Sequence, residues 1–270
     1  MKLPETALRA GPPALPDPLE TLIAAPEWRA IDFISDLHLA PGMDATLAAL
    51  QQHLRSTSAQ AVFLLGDIFE VWIGDDARFD AFEQTCTDLL REASQRLSLF
   101  FIAGNRDFLI GPDMANDAGM RRLSDPCRLK AFGHALLLSH GDALCLDDTD
   151  YQRFRAEVRS SAWQQQLLAR PLTERRELAR RMRAESEALK RKQTPADWSD
   201  LDAEACCQWL DAAECQVLLH GHTHRPAVHE LGNGRQRWVL SDWDCEAPNP
   251  RADVLRLDSA GLHRHAPAAC

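Results

Sequence analysis

Nowhere in this sequence is an apolar run longer than about half of the ~20 residues that a helix needs to cross a bilayer. Nor does a charged-then-apolar signal segment open it, so a membrane-spanning protein, or one secreted by that route, is not expected. The eight cysteines (Cys86, Cys127, Cys145, Cys206, Cys207, Cys215, Cys245 and Cys270) include no Cys-x-x-Cys pair and no regular framework. That absence argues against a zinc knuckle and a disulfide scaffold, and leaves reduced thiols in a cytoplasmic protein as the expectation. Positive charge is short as well: 30 Lys and Arg stand against 40 Asp and Glu, a formal net charge of −10. General nucleic-acid binding is disfavoured on that balance, although one segment departs from it. No internal repeat is visible.

What is present is a composition 45% hydrophobic over 270 residues, enough for the core of one large α/β domain. Residues 1–28 hold six of the fifteen prolines and little apolar periodicity, so they are expected to form a disordered or loosely attached extension whose removal changes little. The domain proper then covers 29–270. Short apolar runs at 31–34, 61–65, 99–102, 135–138 and 216–219 read as buried strands. Leu47, Leu50 and Leu54 at helical spacing predict a helix over 44–55, with Asp44 as its N-cap, and another follows over 78–97. Strands alternating with helices predict a mainly parallel or mixed sheet with helices on its faces and a ligand site at the carboxyl ends of its strands. The runs at 238–242 and 254–257 are expected to complete a second sheet packed on the first.

Each of the five runs ends in the same kinds of polar residue. They are Asp36-Leu37-His38, Gly66-Asp67, Gly104-Asn105-Arg106-Asp107, His140-Gly141-Asp142 and Gly221-His222-Thr223-His224. Singly these are ordinary, since Gly-Asp and Gly-Asn usually mark turns and a lone His is usually a satisfied polar group. Five in succession, each at a strand end, are not. Asp36, His38, Asp67, Asn105, His140, His222 and His224 supply oxygen and imidazole donors without thiolate, a set that suits Mn²⁺, Fe²⁺ or Zn²⁺ and in part Mg²⁺. Seven donors exceed the need of one ion, whereas two ions sharing a bridging carboxylate would use them all. Such a pair lowers the pKa of a shared water and clamps phosphoryl oxygens, and its residual positive charge favours an anionic phosphate guest.

The motif set resembles the calcineurin-like metallophosphoesterase family over most of residues 31–245. The finer runs Gly104-Asn105-Arg106-Asp107-Phe108, His140-Gly141-Asp142 through Asp148, and His220 through His229 are similar to the branch that cleaves the diphosphate of UDP-2,3-diacylglucosamine in lipid A synthesis. The resemblance implies an α/β fold, a four-layer αββα sandwich with a helical cap over 150–200, and two divalent ions, Mn²⁺ by preference. By it Asp36, His38, Asp67 and His224 hold one ion, and Asp67, Asn105, His140 and His222 the other. Asp67, Asn105, Arg106 and His222 are the implied catalytic residues. Asn105, Arg106 and His222 are also implied to meet substrate, with Asp148, Ser186 and one of Lys190 or Lys192 contacting the glucosamine. Many members carry His after the Asn, placed to protonate an alkoxide, but here the position is Arg106. Arginine stays charged and cannot be that acid. A phosphoanhydride, whose leaving group departs as a stable anion, needs none.

The interval from His140 to His222 is 82 residues, whereas the three before it are 31, 38 and 35. About forty residues have therefore been inserted. Residues 151–192 hold twelve Lys or Arg against five Glu, a surplus of seven positive charges that leaves −17 on the rest of the chain. Tyr151, Phe154, Val158, Leu172, Leu178, Met182 and Leu189 punctuate them at roughly helical spacing, which predicts amphipathic helices with basic faces. Beside a diphosphate-cleaving site these are expected to grip an anionic lipid substrate and attach the protein to the cytoplasmic face of the inner membrane. No nucleic-acid or obligate protein partner is expected. Two other readings remain: cleavage of another nucleoside diphosphate compound or a cyclic nucleotide, and a non-catalytic scaffold, which would have lost metal ligands.

Overall fold

The computed structural model describes residues 11–190, 199–267 and 270, with 185–190 given by backbone alone. Its centre is strand β2 (Ala30–Ile34), in which all five residues are buried. To one side β3 (Ala61–Leu64), β4 (Ser98–Ile102) and β5 (Met120–Leu123) follow in parallel; to the other β11 (Val254–Asp258) and β12 (Gly261–His265) follow antiparallel. The second six-stranded sheet runs in the order β1 (Thr21–Ile23), β6 (Cys127–Ala131), β7 (His134–Leu138), β8 (Val217–His220), β10 (Arg235–Val239) and β9 (Ala227–Gly232).

Alternation along the strands builds the layers. Phe33, Phe63 and Phe100 project between the sheets with ring centroids 5.3 and 4.6 Å apart, against Leu129, Leu136, Leu138 and Leu219 of the second sheet. Ile34, Leu64 and Phe101 face the other way, onto α1 (Asp44–Ser56), α2 (Ala81–Ser94) and α3 (Pro112–Ala118). Leu137 and Leu218 pack on α7 (Ala203–Ala212) beyond the second sheet. The result is the four-layer αββα sandwich. Strands buried on both faces explain why the runs read as continuous apolar stretches rather than alternating ones. The insert forms α4 (Thr149–Val158), α5 (Ser161–Leu168) and α6 (Leu172–Lys190).

Several expectations need correction. Of the strands after the fifth motif only the first completes the second sheet as expected: β10 joins β8 there, while β11 zips onto the free edge of β2 in the first sheet with Leu255 opposite Phe33. The helix expected over 78–97 is a 3₁₀ turn at Asp75–Phe79 followed by α2. Asp44 is the first residue of α1 rather than its cap; the carboxylate of Glu246 instead accepts from the amides of Ala45 and Thr46. Cys245 and Cys270 form a disulfide with Cα atoms 5.3 Å apart, so the thiols are not all reduced.

The extension expected over 1–28 is not loose where it is described. β1 pairs in parallel with β6, Leu22 and Trp28 are buried between the sheets, and Glu20 holds Arg121 and the Ser124 amide. Trp209 Nε1 donates to Pro13 O at 2.7 Å. Residues 1–10 lie outside the described residues. Truncating Leu22 to Ala should destabilise the protein by about 2–4 kcal/mol, and deleting residues 1–25 by at least as much, read as thermal or denaturant unfolding. A truncated protein that unfolds at the parent Tm would restore the picture of a dispensable extension.

Candidate metal centre

The five motifs meet where the carboxyl ends of β2, β3, β4, β7 and β8 converge, three from one sheet and two from the other. The chain turns sharply as it leaves each strand. Of the eight non-glycine residues with positive φ among the described residues, five belong to the predicted donor set: Asp36, His38, Asp67, His222 and His224, at φ of 48° to 66°. Such backbone is disfavoured for residues bearing a Cβ and survives only where the surroundings enforce it, so its concentration here marks a built site. The enforcement is visible. The amides of Asp36, His38 and Leu39 donate to the carbonyls of Gly66, Asp67 and Ile68 at 2.9–3.0 Å, continuing the β2–β3 pairing past the strands. Asp107 accepts from the Ile68 amide at 2.7 Å and the Gly104 amide at 2.8 Å, tying the second turn to the third. Glycine at 104 and 221 follows from close approach: a Cβ would lie 2.1 Å from Asp67 Oδ1 at the first and 2.2 Å from Asp36 Oδ2 at the second.

The side chains form two adjoining groups. In one, His38 Nε2 and His224 Nε2 are 3.2 Å apart, and Asp36 Oδ1 stands 3.3 Å from the latter and 3.9 Å from the former. In the other, Asn105 Oδ1 lies 3.0 Å from His140 Nε2 and 2.9 Å from His222 Nδ1, with Asp67 Oδ2 3.7 Å from His140 Nε2. Donor atoms of Asp36, His38 and His224 lie within 4.8 Å of one another, as do those of Asp36, Asp67 and His140. The residues fit metal binding on three counts. Asp36 Oδ1 is buried without a hydrogen-bond partner. Two imidazole nitrogens face each other across a carboxylate. The far nitrogens are engaged from behind: His140 Nδ1 donates to Leu65 O at 2.9 Å, His38 Nδ1 stands 3.0 Å from Glu70, and His224 Nδ1 3.5 Å from Asp242, itself held by Arg251. Such outer partners fix imidazole ligands in metal sites.

Charge tells the same story. Burial opposes a proton on His140, but the carboxylates of Asp67, Asp36 and Asp142 push its pKa up to about 9. Burial, with His140 beside it, pushes His222 down to about 3. Without a metal the carboxylates thus draw in a proton as substitute cation.

Among the sequence-predicted substrate residues, Arg106 donates its amide to Asp67 Oδ1 at 2.8 Å, and its guanidinium lies 3.7 Å from Glu70. Asp148 is the N-cap of α4, accepting from the Tyr151 amide at 3.0 Å. Ser186 and Lys190 lie on α6 where side chains are not described, and Lys192 lies outside the described residues. Four residues escaped the sequence reading: Glu70, Asp242, Tyr151 and Asp142. Asp142 sits inside the quoted His140 motif and could have been found there. It is fully buried and accepts from Tyr151 Oη at 2.6 Å and Arg155 Nε at 2.8 Å. The Tyr151 ring lies over His222, centroids 6.0 Å apart, and Arg159 donates to Gly104 O at 2.9 Å. So α4 is clamped over the site. Further along, the buried Arg175 reaches Ile73 O and Asp76, Arg176 meets Asp80, and Leu167 and Leu178 pack into the core beside the first sheet. A share of the basic charge therefore points inward and docks the insert.

Because a metal must displace the His140 proton, Mn²⁺ should bind more tightly as pH rises from about 6 to 9, by up to ~10-fold per unit with proton release, read by calorimetry in buffers of different ionisation enthalpy. Asp67→Ala should weaken binding at any pH while leaving the fold intact. Affinity independent of both would contradict a metal centre here.

The sequence profile of the calcineurin-like phosphoesterase family matches residues 30–226, which takes in every donor. A UDP-2,3-diacylglucosamine hydrolase of Chromobacterium violaceum is 43% identical over 240 residues, 86% of this chain and 97% of that protein. One from Bordetella pertussis is 42% identical over 248 residues, covering 89% and 94%. Among solved structures, the phosphoesterase Yfce of E. coli aligns over 88% of this chain and 93% of its own at 14% identity and a TM-score of 0.45. With the family profile spanning all five strand-end motifs and their donors gathered at one point, the chain belongs to the calcineurin-like phosphoesterase family.

Proposed function

We propose that the protein hydrolyses the diphosphate bond of UDP-2,3-diacylglucosamine to UMP and 2,3-diacylglucosamine 1-phosphate. The reading is supported by relatives of that name, about 42% identical over nearly their whole length, together with a complete donor set and an arginine after Asn105. Asp36, His38, Asp67 and His224 would hold one divalent ion, and Asp67, Asn105, His140 and His222 the other, with Mn²⁺ our assignment. Bound there, such a pair supplies Lewis acidity and a lowered pKa for water. The protein's own groups do the rest. Arg106, permanently charged, neutralises the diphosphate and makes no attempt at proton donation, which fits a sugar 1-phosphate leaving as a stable anion. Tyr151 and the Asp142–Arg155–Arg159 network hold α4 as a wall of the site, and Asp148, Ser186 and an insert lysine would meet the glucosamine.

No helix among the described residues is long and apolar enough to cross a membrane. Attachment to the cytoplasmic face of the inner membrane would instead be peripheral. Phe79, Leu168 and Phe154, which are 66%, 43% and 39% exposed, together with the basic helices, supply a surface of suitable chemistry.

Run with Mn²⁺ in ¹⁸O-water, the reaction should place the label in UMP, and UDP-N-acetylglucosamine should be a much poorer substrate. Equal cleavage of the two, or preference for a cyclic nucleotide, would sink the substrate assignment; label in the sugar phosphate would reverse the direction of attack. Arg106→Ala should lower kcat/KM by about 10²–10³ while leaving Mn²⁺ affinity within a few-fold. A loss of metal instead of turnover would show Arg106 to be structural.

A further inference from the structure

Glu70 belongs to none of the five motifs, yet its carboxylate touches three parts that have to act together. The pairing that continues beyond β2 and β3 ends with the Glu70 amide donating to Leu39 O at 3.1 Å, which sets Glu70 alongside His38. There Oε2 stands 3.0 Å from His38 Nδ1. The other oxygen, Oε1, faces Arg106 at 3.7 Å and Arg183 of α6 at 3.4 Å. The Glu70 side chain is 14% exposed, enclosed enough for these contacts to be weakly screened. An imidazole proton is most stable on the nitrogen that faces a carboxylate, here Nδ1 opposite Glu70, which leaves Nε2, the nitrogen turned toward His224 and Asp36, to carry the lone pair. At the second oxygen one carboxylate meets two guanidinium groups and draws them together.

We propose that Glu70 is a positioning residue that couples the metal centre to the cap. One oxygen fixes the His38 tautomer, and the other holds Arg106 of the catalytic turn and Arg183 of the insert on one side of the site, where their guanidinium groups receive an anionic diphosphate. The diphosphate half rests on the function proposed above; the tautomer half does not.

The test uses the full-length protein and Mn²⁺ titration by calorimetry beside steady-state kinetics. Glu70→Ala should weaken Mn²⁺ binding about 10–100-fold and raise KM. Glu70→Gln, which keeps an acceptor but not the charge, should recover most of the metal affinity while KM stays high. Arg183→Ala should raise KM about 10-fold with Mn²⁺ affinity within ~2-fold of the parent. In the parent protein loaded with Zn²⁺, ¹⁵N NMR should place the His38 proton on Nδ1, a readout that needs no variant to fold. Parent-like Mn²⁺ affinity in Glu70→Ala, equal metal loss in Glu70→Ala and Arg183→Ala, or a proton on His38 Nε2 would each overturn the inference. A parent protein that binds Mn²⁺ but leaves the diphosphate intact would overturn the substrate reading instead.

Discussion

Two histidine nitrogens 3.2 Å apart, with the buried oxygen of Asp36 beside them, make an arrangement that a protein does not adopt for its own stability. Packing like donors together and leaving a carboxylate oxygen unpartnered in the interior costs free energy unless a cation compensates. Much of the fold is arranged to enforce that juxtaposition. Two fully packed sheets present five strand ends at one place. The Phe33, Phe63 and Phe100 stack between them and the helices outside them leave the strands no freedom to relax.

Backbone strain extends the same logic to the turns. Asp36, His38, Asp67, His222 and His224 are held in left-handed conformations by amide-to-carbonyl bonds between neighbouring turns and by the double acceptor Asp107. The insert then closes over the result rather than hanging beside it: Arg155 and Tyr151 converge on Asp142, and Arg159 reaches the carbonyl of Gly104, next to the donor Asn105. Basic charge that in the sequence reads as the faces of amphipathic helices is thus divided between docking the cap and lining the site.

The convergence of the candidate donors was legible because each sits where an apolar run stops, and a strand end is the one place where periodicity and chemistry are read together. That the strands are covered on both faces was legible for a related reason, in their uninterrupted apolar runs, whereas the four-layer order was implied by the family resemblance. What escaped depends on neighbours that a sequence does not name. Which sheet β10 and β11 join is a matter of edge pairing. Thr21–Ile23 is too short between prolines to show a pattern, though it adds a strand. The Cys245–Cys270 pair, 25 residues apart, belongs to no recognisable framework. Glu70 and Asp242 support histidines distant in the chain, and Asp148 also caps a helix, a role its motif does not reveal.

The central claim is that the seven donors serve two ions sharing one carboxylate. Electron paramagnetic resonance of the Mn²⁺-loaded protein, with metal content measured on the same sample, tests it most directly. The account predicts two ions per chain and a spectrum of exchange-coupled Mn²⁺ that collapses to an uncoupled signal in Asp67→Ala. One ion per chain, or two that give the spectrum of isolated Mn²⁺, would contradict it.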